Sequence, residues 1–257
     1  MGERSLAGRA LLLLPFAGVA AWSANATMVR MSHDRRGVGP GRLEFVTGSM
    51  DDQIMDTLDT GDIVLFTRRL KAMQPWGALW TRVMRAKFNP RFDHCGVIYV
   101  DKLGRKFVIE ETFGRVECRP YSARVLMSEA DEIVVLPLKA QRSKELQQRM
   151  VQFVDDNVGR VSRISLRAFV AALIDPVSAT TNTVAAEQDG SAPLFPAVAL
   201  VAEAYGAMGL VDPSALTADG KISAQNATPR HWVARGKIRF LPGTGAKFGS
   251  SIPIRLY

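Results

Sequence analysis

The apolar positions of the chain change their period from one segment to the next, and each period predicts an element. Residues 92–100 are rich in β-branched and aromatic side chains, which is typical of a strand. Residues 106–112 form a second such run beyond a turn at Gly104, so the two runs are predicted to pair as a hairpin. Further strands are predicted over residues 58–66, 132–138 and 237–241.

Other segments repeat their apolar residues at helical spacing. One helix is predicted to begin after Ser143, a favourable N-cap, and to end at Gly159. A buried helix with Pro196 in its first turn is predicted over residues 195–205. Strands followed by helices predict a single α+β domain, in which an antiparallel sheet packs against helices. Shorter helical segments are predicted over residues 76–87, 166–174 and 228–232, and a loop over residues 175–193.

Alternation along the strand at residues 92–100 limits its chemistry. His94, Gly96 and Ile98 share one face of a strand, and the residues between them point to the other face. His94 and Cys95 therefore point apart, so this adjacent pair cannot form a cysteine–histidine dyad by itself.

The N-terminal region contains a run without any charged residue, from Ala10 to Val29. A helix of this length can cross a hydrocarbon core of about 30 Å. Three interpretations compete: a membrane anchor, a cleavable secretory signal ending near residues 23–26, and part of an organelle-targeting presequence. We expect an uncleaved anchor that forms a membrane-type helix. The predicted division is residues 1–31 for this segment, 32–49 for a linker, 50–245 for the domain and 246–257 for a tail.

Charge and composition narrow the classes of partner. The 257 residues carry 33 Lys and Arg against 25 Asp and Glu, a formal net charge of +8, which suits an acidic partner. The basic residues are scattered among acidic ones, so nucleic acid is ranked below membrane lipid and protein. Two cysteines and three histidines show no metal-ligand spacing, and no glycine-rich phosphate loop follows a strand. No metal and no cofactor are expected.

Several of these segments, in this order, resemble the circularly permuted papain-like fold of the NlpC-type hydrolases. The resemblance is strongest to the YiiX-like branch, with lecithin retinol acyltransferase as a more distant relative, and it extends from Thr60 to about Leu241. The segments that carry it are Thr60–Phe66, His94–Ile98, Val108–Glu110, Leu200–Tyr205 and Thr228–Pro229.

The resemblance implies a catalytic site that lacks one member. His94 occupies the position of the general base, and Glu110 that of the residue that orients the imidazole. The family writes Cys-Ser-Glu-Leu-Val at the start of the buried helix, whereas this chain has Ala197 in place of the nucleophilic cysteine. A methyl group has no lone pair, so covalent acyl chemistry by the family mechanism is expected to be absent. His94, Glu110 and Ala197 are therefore interpreted as a vestigial site.

Other nucleophiles are poor substitutes for the missing cysteine. Cys95 is sent to the opposite face of the strand from His94, and Cys118 lies in a turn-like stretch before Pro120. Both are predicted to be small buried apolar residues.

The leading hypothesis for function is a catalytically inactive papain-like domain that serves as an accessory subunit of a membrane complex. The expected setting is the mitochondrial inner membrane, in an assembly of the respiratory-chain or ATP synthase kind, with the secretory pathway as the alternative. Its partners would be other subunits of the complex and, through the N-terminal segment, membrane lipid. Two alternatives stay open: an amidase, thioesterase or acyltransferase that uses His94 with an unconventional nucleophile, and a lipid-binding module that keeps the old groove.

Overall fold

A computed structural model describes residues 17–29, 43–88, 91–112, 114–161, 193, 195–233 and 237–254. The strands are β1 (Ile63–Arg68), β2 (His94–Val100), β3 (Lys106–Thr112), β4 (Arg115–Pro120), β5 (Ala130–Leu136), β6 (Leu138–Lys139), β7 (Lys247–Phe248) and β8 (Ile252–Ile254). The helices are α1 (residues 17–29), α2 (Met50–Thr57), α3 (Pro75–Phe88), α4 (Tyr121–Leu126), α5 (Lys144–Asn157), α6 (Pro196–Ala207) and α7 (Pro229–Val233). A short 3-10 turn covers Leu70–Ala72.

Six strands form one sheet in the order β4-β3-β2-β1-β5-β8, and every neighbouring pair is antiparallel. Strands β6 and β7 pair separately. The α+β architecture, with an antiparallel sheet packed against helices, is as the sequence predicts. The predicted hairpin is confirmed, because β2 and β3 pair in a register that sets Val97 opposite Ile109.

Both faces of the sheet are covered, and alternate residues of each strand go to opposite sides. One side, called the α6 face, packs against α3, α5 and α6; its strand residues include Ile63, Leu65, Cys95, Val97 and Ile109. The other side, called the α4 face, packs against α2 and α4; its strand residues include Val64, Phe66, Ile98, Val108 and Val135. Because β1 is buried on both sides, it reads as a continuous apolar run.

The turn before β1 fastens the sheet to its helices. Gly61 has φ +95°, and a Cβ there would lie 2.8 Å from Leu138 Cδ2, so only glycine fits. The Tyr205 hydroxyl of α6 donates to the Gly61 carbonyl at 2.5 Å. Asp62 accepts from the Leu138 amide at 2.8 Å and from Arg142 Nη2 at 3.1 Å. One of the segments that carries the family resemblance therefore has a structural role here.

The helices follow their sequence signals closely. Ser143 caps α5 by accepting from the Leu146 amide at 3.2 Å, and Gly159 follows with φ +89°. Pro196 stands in the first turn of α6, as predicted. The helix predicted over residues 166–174 and all but the last residue of the loop predicted over 175–193 lie outside the described residues.

Three segments differ from their predictions. Cys118 lies within β4 opposite Ile109, so the turn-like interpretation of its stretch is wrong. Residues 237–241 do not form a strand; Phe240 alone makes an isolated bridge, to Val211. Pro242 and Gly243 follow directly and end the extended segment. Residues 247–254, placed in a tail by the sequence, supply β7 and β8.

The N-terminal side of the domain also begins earlier than residue 50. Phe45, within the predicted linker, is buried and packs edge-on against Tyr121 of α4, with 5.9 Å between ring centroids. The linker therefore contributes to the core on the α4 face before α2 begins.

Helix α1 lies mostly exposed beside the start of α3. Ser23 Oγ donates to Gln74 Oε1 at 2.8 Å, and Gln74 Nε2 donates to Thr27 Oγ1 at 3.3 Å. Within the described ranges, no helix has the length and apolar character needed to cross a membrane. Residues 10–16 of the uncharged run lie outside those ranges, so the membrane anchor stays a prediction.

Candidate functional site

His94 begins β2 and points to the α4 face. Its ring lies 5.7 Å from that of Phe66, the residue opposite it on β1. His94 Nε2 and Glu110 Oε2 are 2.7 Å apart, and both side chains are buried. The structure therefore brings together two of the three residues that the sequence assigned to the candidate site.

Glycine at position 96 allows this approach between β2 and β3. A Cβ on Gly96 would lie 2.5 Å from Val108 Cγ1, 3.0 Å from the Ile109 carbonyl oxygen and 3.2 Å from Glu110 Cβ. Atoms of β3 fill the space that a side chain on residue 96 would need. Gly96, between His94 and Ile98 on the same strand face, therefore allows β2 and β3 to pack closely.

Two arginines complete the surroundings of Glu110. Arg124 Nε of α4 donates to Glu110 Oε1, and its guanidinium lies 4.2 Å from the centroid of the Phe66 ring. Arg119 Nη1 of β4 lies 3.7 Å from the same carboxylate oxygen. Glu110 is thus an anion without exposed surface, held by a guanidinium on one oxygen and an imidazole on the other.

The charge states of the pair follow from these contacts. Burial opposes ionisation of Glu110, but Arg124 and the His94 hydrogen bond outweigh it and hold the Glu110 pKa well below its usual range. Burial and repulsion from Arg68 lower the His94 pKa despite its carboxylate partner. At neutral pH the pair is a carboxylate and a neutral imidazole, and the Nε2–H of that imidazole donates to Glu110.

A second buried carboxylate stands next to His94 in the chain and was not singled out in the sequence. Asp93 Oδ1 accepts from Arg68 Nε at 2.6 Å, and Asp93 Oδ2 accepts from Arg85 Nε of α3 at 2.9 Å. Arginines scattered at positions 68, 85 and 124 give no periodic signal, so sequence reasoning could not pair them with particular acids.

Ala197 does not meet His94. It lies in the first turn of α6, buried in the same apolar cluster as Cys95, Val97 and Ile109, on the α6 face of the sheet. His94 lies on the α4 face with Glu110 and Phe66. The sheet separates His94 from Ala197, so this geometry does not assemble the histidine and an α6 side chain into one reacting unit.

Both cysteines are free, and neither is an activated nucleophile. Cys95 is completely buried on the α6 face, and desolvation raises its pKa far above the usual range. Cys118 is half-buried in β4, and burial raises its pKa as well. Since the thiolate is the reactive form, neither side chain is prepared for attack at neutral pH.

The other histidine that the structure describes, His231, belongs to another part of the molecule. Its Nδ1 accepts from the Thr228 amide at 2.9 Å at the start of α7. Across the described residues, no group of three or more His, Cys, Asp or Glu side chains is arranged to hold a metal ion.

Comparison with known proteins gives a distant structural neighbour. No protein-family model matches the chain, and no curated protein is found to match it. Among solved structures, the chain is similar to the metalloprotein YiiX of Escherichia coli O157:H7, at 20% sequence identity and a TM-score of 0.34. The match covers 41% of this chain and 53% of the YiiX chain, so this chain spans about half the length of that protein.

Proposed function

We propose that the chain is a noncatalytic domain of NlpC-type, circularly permuted papain-like descent that serves as a structural accessory subunit of a membrane protein complex. The observation that carries this proposal is the separation of His94 from Ala197. His94 is hydrogen-bonded to Glu110 on the α4 face, whereas Ala197, which has no nucleophilic group, is buried on the α6 face.

The chemistry of the three candidate residues supports loss of activity. A general base needs its nucleophile within about 3 Å, and Ala197 offers only a methyl group on the other side of the sheet. Cys95, next to His94 in sequence, is buried as a neutral thiol on that same side. The ion pairs of Glu110 and Asp93 then stabilise the fold, which explains why His94 is retained without a catalytic role.

The N-terminal segment supports attachment to a membrane. Helix α1 continues the uncharged run and exposes Val19, Trp22 and Met28. Tryptophan is enriched at membrane–water interfaces. The exposed Trp76, with 81% of its surface accessible, and Leu79 lie at the start of α3, the helix that follows the α1 contact at Gln74. The mitochondrial inner membrane stays a prediction of the sequence.

A labelling experiment tests the noncatalytic part. The full chain is treated with a thiol-directed acyl probe, and we expect no His94-dependent adduct on the folded protein, because Cys95 is completely buried and burial raises the pKa of both thiols. An adduct at Cys95 or Cys118 that disappears in His94→Ala would overturn the proposal in favour of the amidase, thioesterase or acyltransferase alternative.

The Ala197→Cys variant makes the labelling test sharper. It restores the side chain that the family has at this position, yet His94 lies across the sheet, so its thiol should label at the same rate with and without His94→Ala. A His94-dependent increase in labelling would show that the two positions do meet, which would contradict the geometry on which the proposal depends.

Membrane attachment and assembly are tested separately. The full chain, Leu12→Arg and the matched control Leu103→Arg are expressed in cells, and membranes are extracted with alkaline carbonate. We expect Leu12→Arg alone to be released, because a charge within an apolar span is costly and Leu103 is exposed in a hairpin turn. The protein should migrate with a complex of fixed stoichiometry on native gels; a monomer released equally in all three forms would refute the proposal.

A further inference from the structure

A cleft of 560 Å³ opens beside α7, away from the His94 site. Its walls come from the end of α3, the loop around residues 217–222 and the start of α7. Two buried hydroxyl residues, Thr217 and Thr228, line it, together with the half-buried Phe88. The cleft thus combines buried polar groups with one aromatic wall.

The charge around the cleft is predominantly positive. Lys221, Arg230 and Lys237 are exposed and line it, against a single carboxylate, Asp219. Asp219 already has partners: it accepts from the Thr217 hydroxyl at 2.6 Å and lies 4.0 Å from Lys221 Nζ. Three cations and one anion give the lining of the cleft a net charge of +2, which favours an anionic ligand.

His231 adds a neutral donor to the same cleft. Its Nδ1 accepts from the Thr228 amide at 2.9 Å, so the proton of the neutral ring is on Nε2. Burial and repulsion from Lys237 and Arg230 lower its pKa, which keeps the ring neutral when the cleft holds no anion.

We propose that this cleft binds the phosphate group of a small phosphate monoester. A phosphate monoester carries a charge of about −1.5 to −2 at pH 7 and three strong acceptor oxygens, which fit an excess of two cations and an Nε2–H donor. The 560 Å³ cleft exceeds what inorganic phosphate needs, and Phe88 offers an apolar wall for the organic part of the molecule.

The cleft adjoins the beginning of α6. The Phe88 ring packs edge-on against Phe195, which precedes α6, with 5.8 Å between centroids. The proposed ligand would therefore lie on the α6 face and have no contact with Glu110 or His94. This inference goes beyond the proposed accessory function and does not depend on membrane attachment or on loss of catalysis.

Binding is tested by NMR on the full chain in detergent. The probes are glycerol 3-phosphate, a soluble monoester, and dihexanoyl phosphatidic acid, a lipid with the same headgroup chemistry. We expect saturable shifts of the His231 ring resonances and a rise of its pKa, because a bound anion stabilises the imidazolium. If both probes bind, the phosphate group is sufficient for recognition. If only one probe binds, that probe shows whether the ligand is a soluble monoester or a lipid. No saturable response to either probe would overturn the proposal.

Charge reversal separates a built site from general attraction to a basic protein. Lys237→Glu should weaken binding by about tenfold or more, the scale expected for loss of a charge-assisted contact. Lys102→Glu, in the hairpin turn between β2 and β3, changes the net charge equally and should leave affinity within about twofold at the same ionic strength. Equal weakening by both variants, or by neither, would contradict the site. Unchanged His94 resonances in each variant serve as the check on folding.

Discussion

At the level of single residues, the feature of most consequence for stability is the buried Glu110 carboxylate. It has no exposed surface, and it is ionised because Arg124 and His94 occupy its oxygens. A buried ion pair contributes little compared with an apolar replacement of both partners. Removal of one partner is costly, because it leaves the other charge buried without compensation.

Glu110→Gln should therefore destabilise the fold by about 3 kcal/mol or more, since Arg124 would keep its charge within the α4 face. Glu117→Gln is the matched control: it removes the carboxylate that pairs with the more exposed Arg119 and should cost less than about 1 kcal/mol. Urea denaturation at pH 7 measures both. Equal losses in the two variants would show that Glu110 has no special role.

His94 should make stability depend on pH in the mildly acidic range. Its folded pKa is lowered, so below about pH 6.5 the unfolded chain takes up a proton that the folded chain refuses, and stability falls as pH falls. Glu110 acts at lower pH, since its stabilising charge is lost only below the unfolded pKa of about 4.3.

His94→Gln should reduce this slope by up to about 1.4 kcal/mol per pH unit, the value for one proton. Glutamine keeps a donor for Glu110 but does not titrate. His231→Gln should reduce the slope less, because that ring is only half-buried. Unfolding free energies between pH 7.5 and 5 provide the comparison; an unchanged slope in His94→Gln would mean that His94 has the same pKa in the folded and unfolded chains, which would contradict its burial as a neutral imidazole.

The two cysteines should differ in reactivity. Cys95 has no exposed surface, so a thiol reagent should modify it only when the chain unfolds, whereas the half-buried Cys118 should react faster. Ellman's reagent on Cys95→Ala and Cys118→Ala resolves the two rates. Rapid labelling of Cys95 in the folded state would contradict its burial.

The sequence predicts the contact between His94 and Glu110 but not the position of Ala197 relative to His94. The hairpin at residues 94–112 placed His94 and Glu110 on neighbouring strands, and they do form a hydrogen bond. The sequence could not place Ala197, because the side of a sheet against which a helix packs depends on contacts distant in sequence. The arginine partners Arg119 and Arg124 were missed for a related reason: they lie on β4 and α4, which were not predicted.

At the level of elements, the close approach of β2 and β3 depends on Gly96. Gly96→Ala would press a methyl group against the Ile109 carbonyl, which belongs to the backbone and cannot rotate away, and against Val108. We expect a loss of about 1–3 kcal/mol, typical of overpacking. Gly77→Ala, within α3 and with its nearest contact at 3.5 Å, should instead gain about 0.5–1 kcal/mol. Thermal unfolding distinguishes a loss from a gain; stabilisation by Gly96→Ala would contradict the register.

Local signals explain which elements were predictable. A capping serine, regular apolar spacing and a terminal glycine all agreed on α5, and β-branched residues marked β1 and β2. Strand β4 also carried a signal, since Val116 and Cys118 alternate with charged residues, but Cys118 was taken for part of a turn. Helix α4 has only six residues, too few for a helical period to show.

At the level of the whole molecule, the sheet is completed by β8. Residues Ile252–Ile254 pair with β5 and cover its otherwise open edge, and Ile254 is buried in the cluster of the α4 face. The sequence did not predict this pairing, because a three-residue strand has no readable period and its partner is more than a hundred residues earlier.

A chain that ends at Ser250 should be less stable by several kcal/mol, on the order of 2–5, since it loses the buried Ile254 and the ladder hydrogen bonds of β5. It should also aggregate more readily, because an open strand edge pairs with other chains. A chain that ends at Ile254 keeps all three paired residues and serves as the control. Chemical denaturation and light scattering test both effects; identical behaviour of the two chains would show that β8 is dispensable.

The position of β8 in the sheet has a consequence for biosynthesis. The ribosome makes β5 more than a hundred residues before its outer neighbour, so the β5 edge stays open while α5, α6 and α7 are made. A nascent chain in that condition exposes the kind of backbone edge that chaperones shield. Slow elongation after residue 136 would prolong this interval, and synthesis of Ile252–Ile254 would close it.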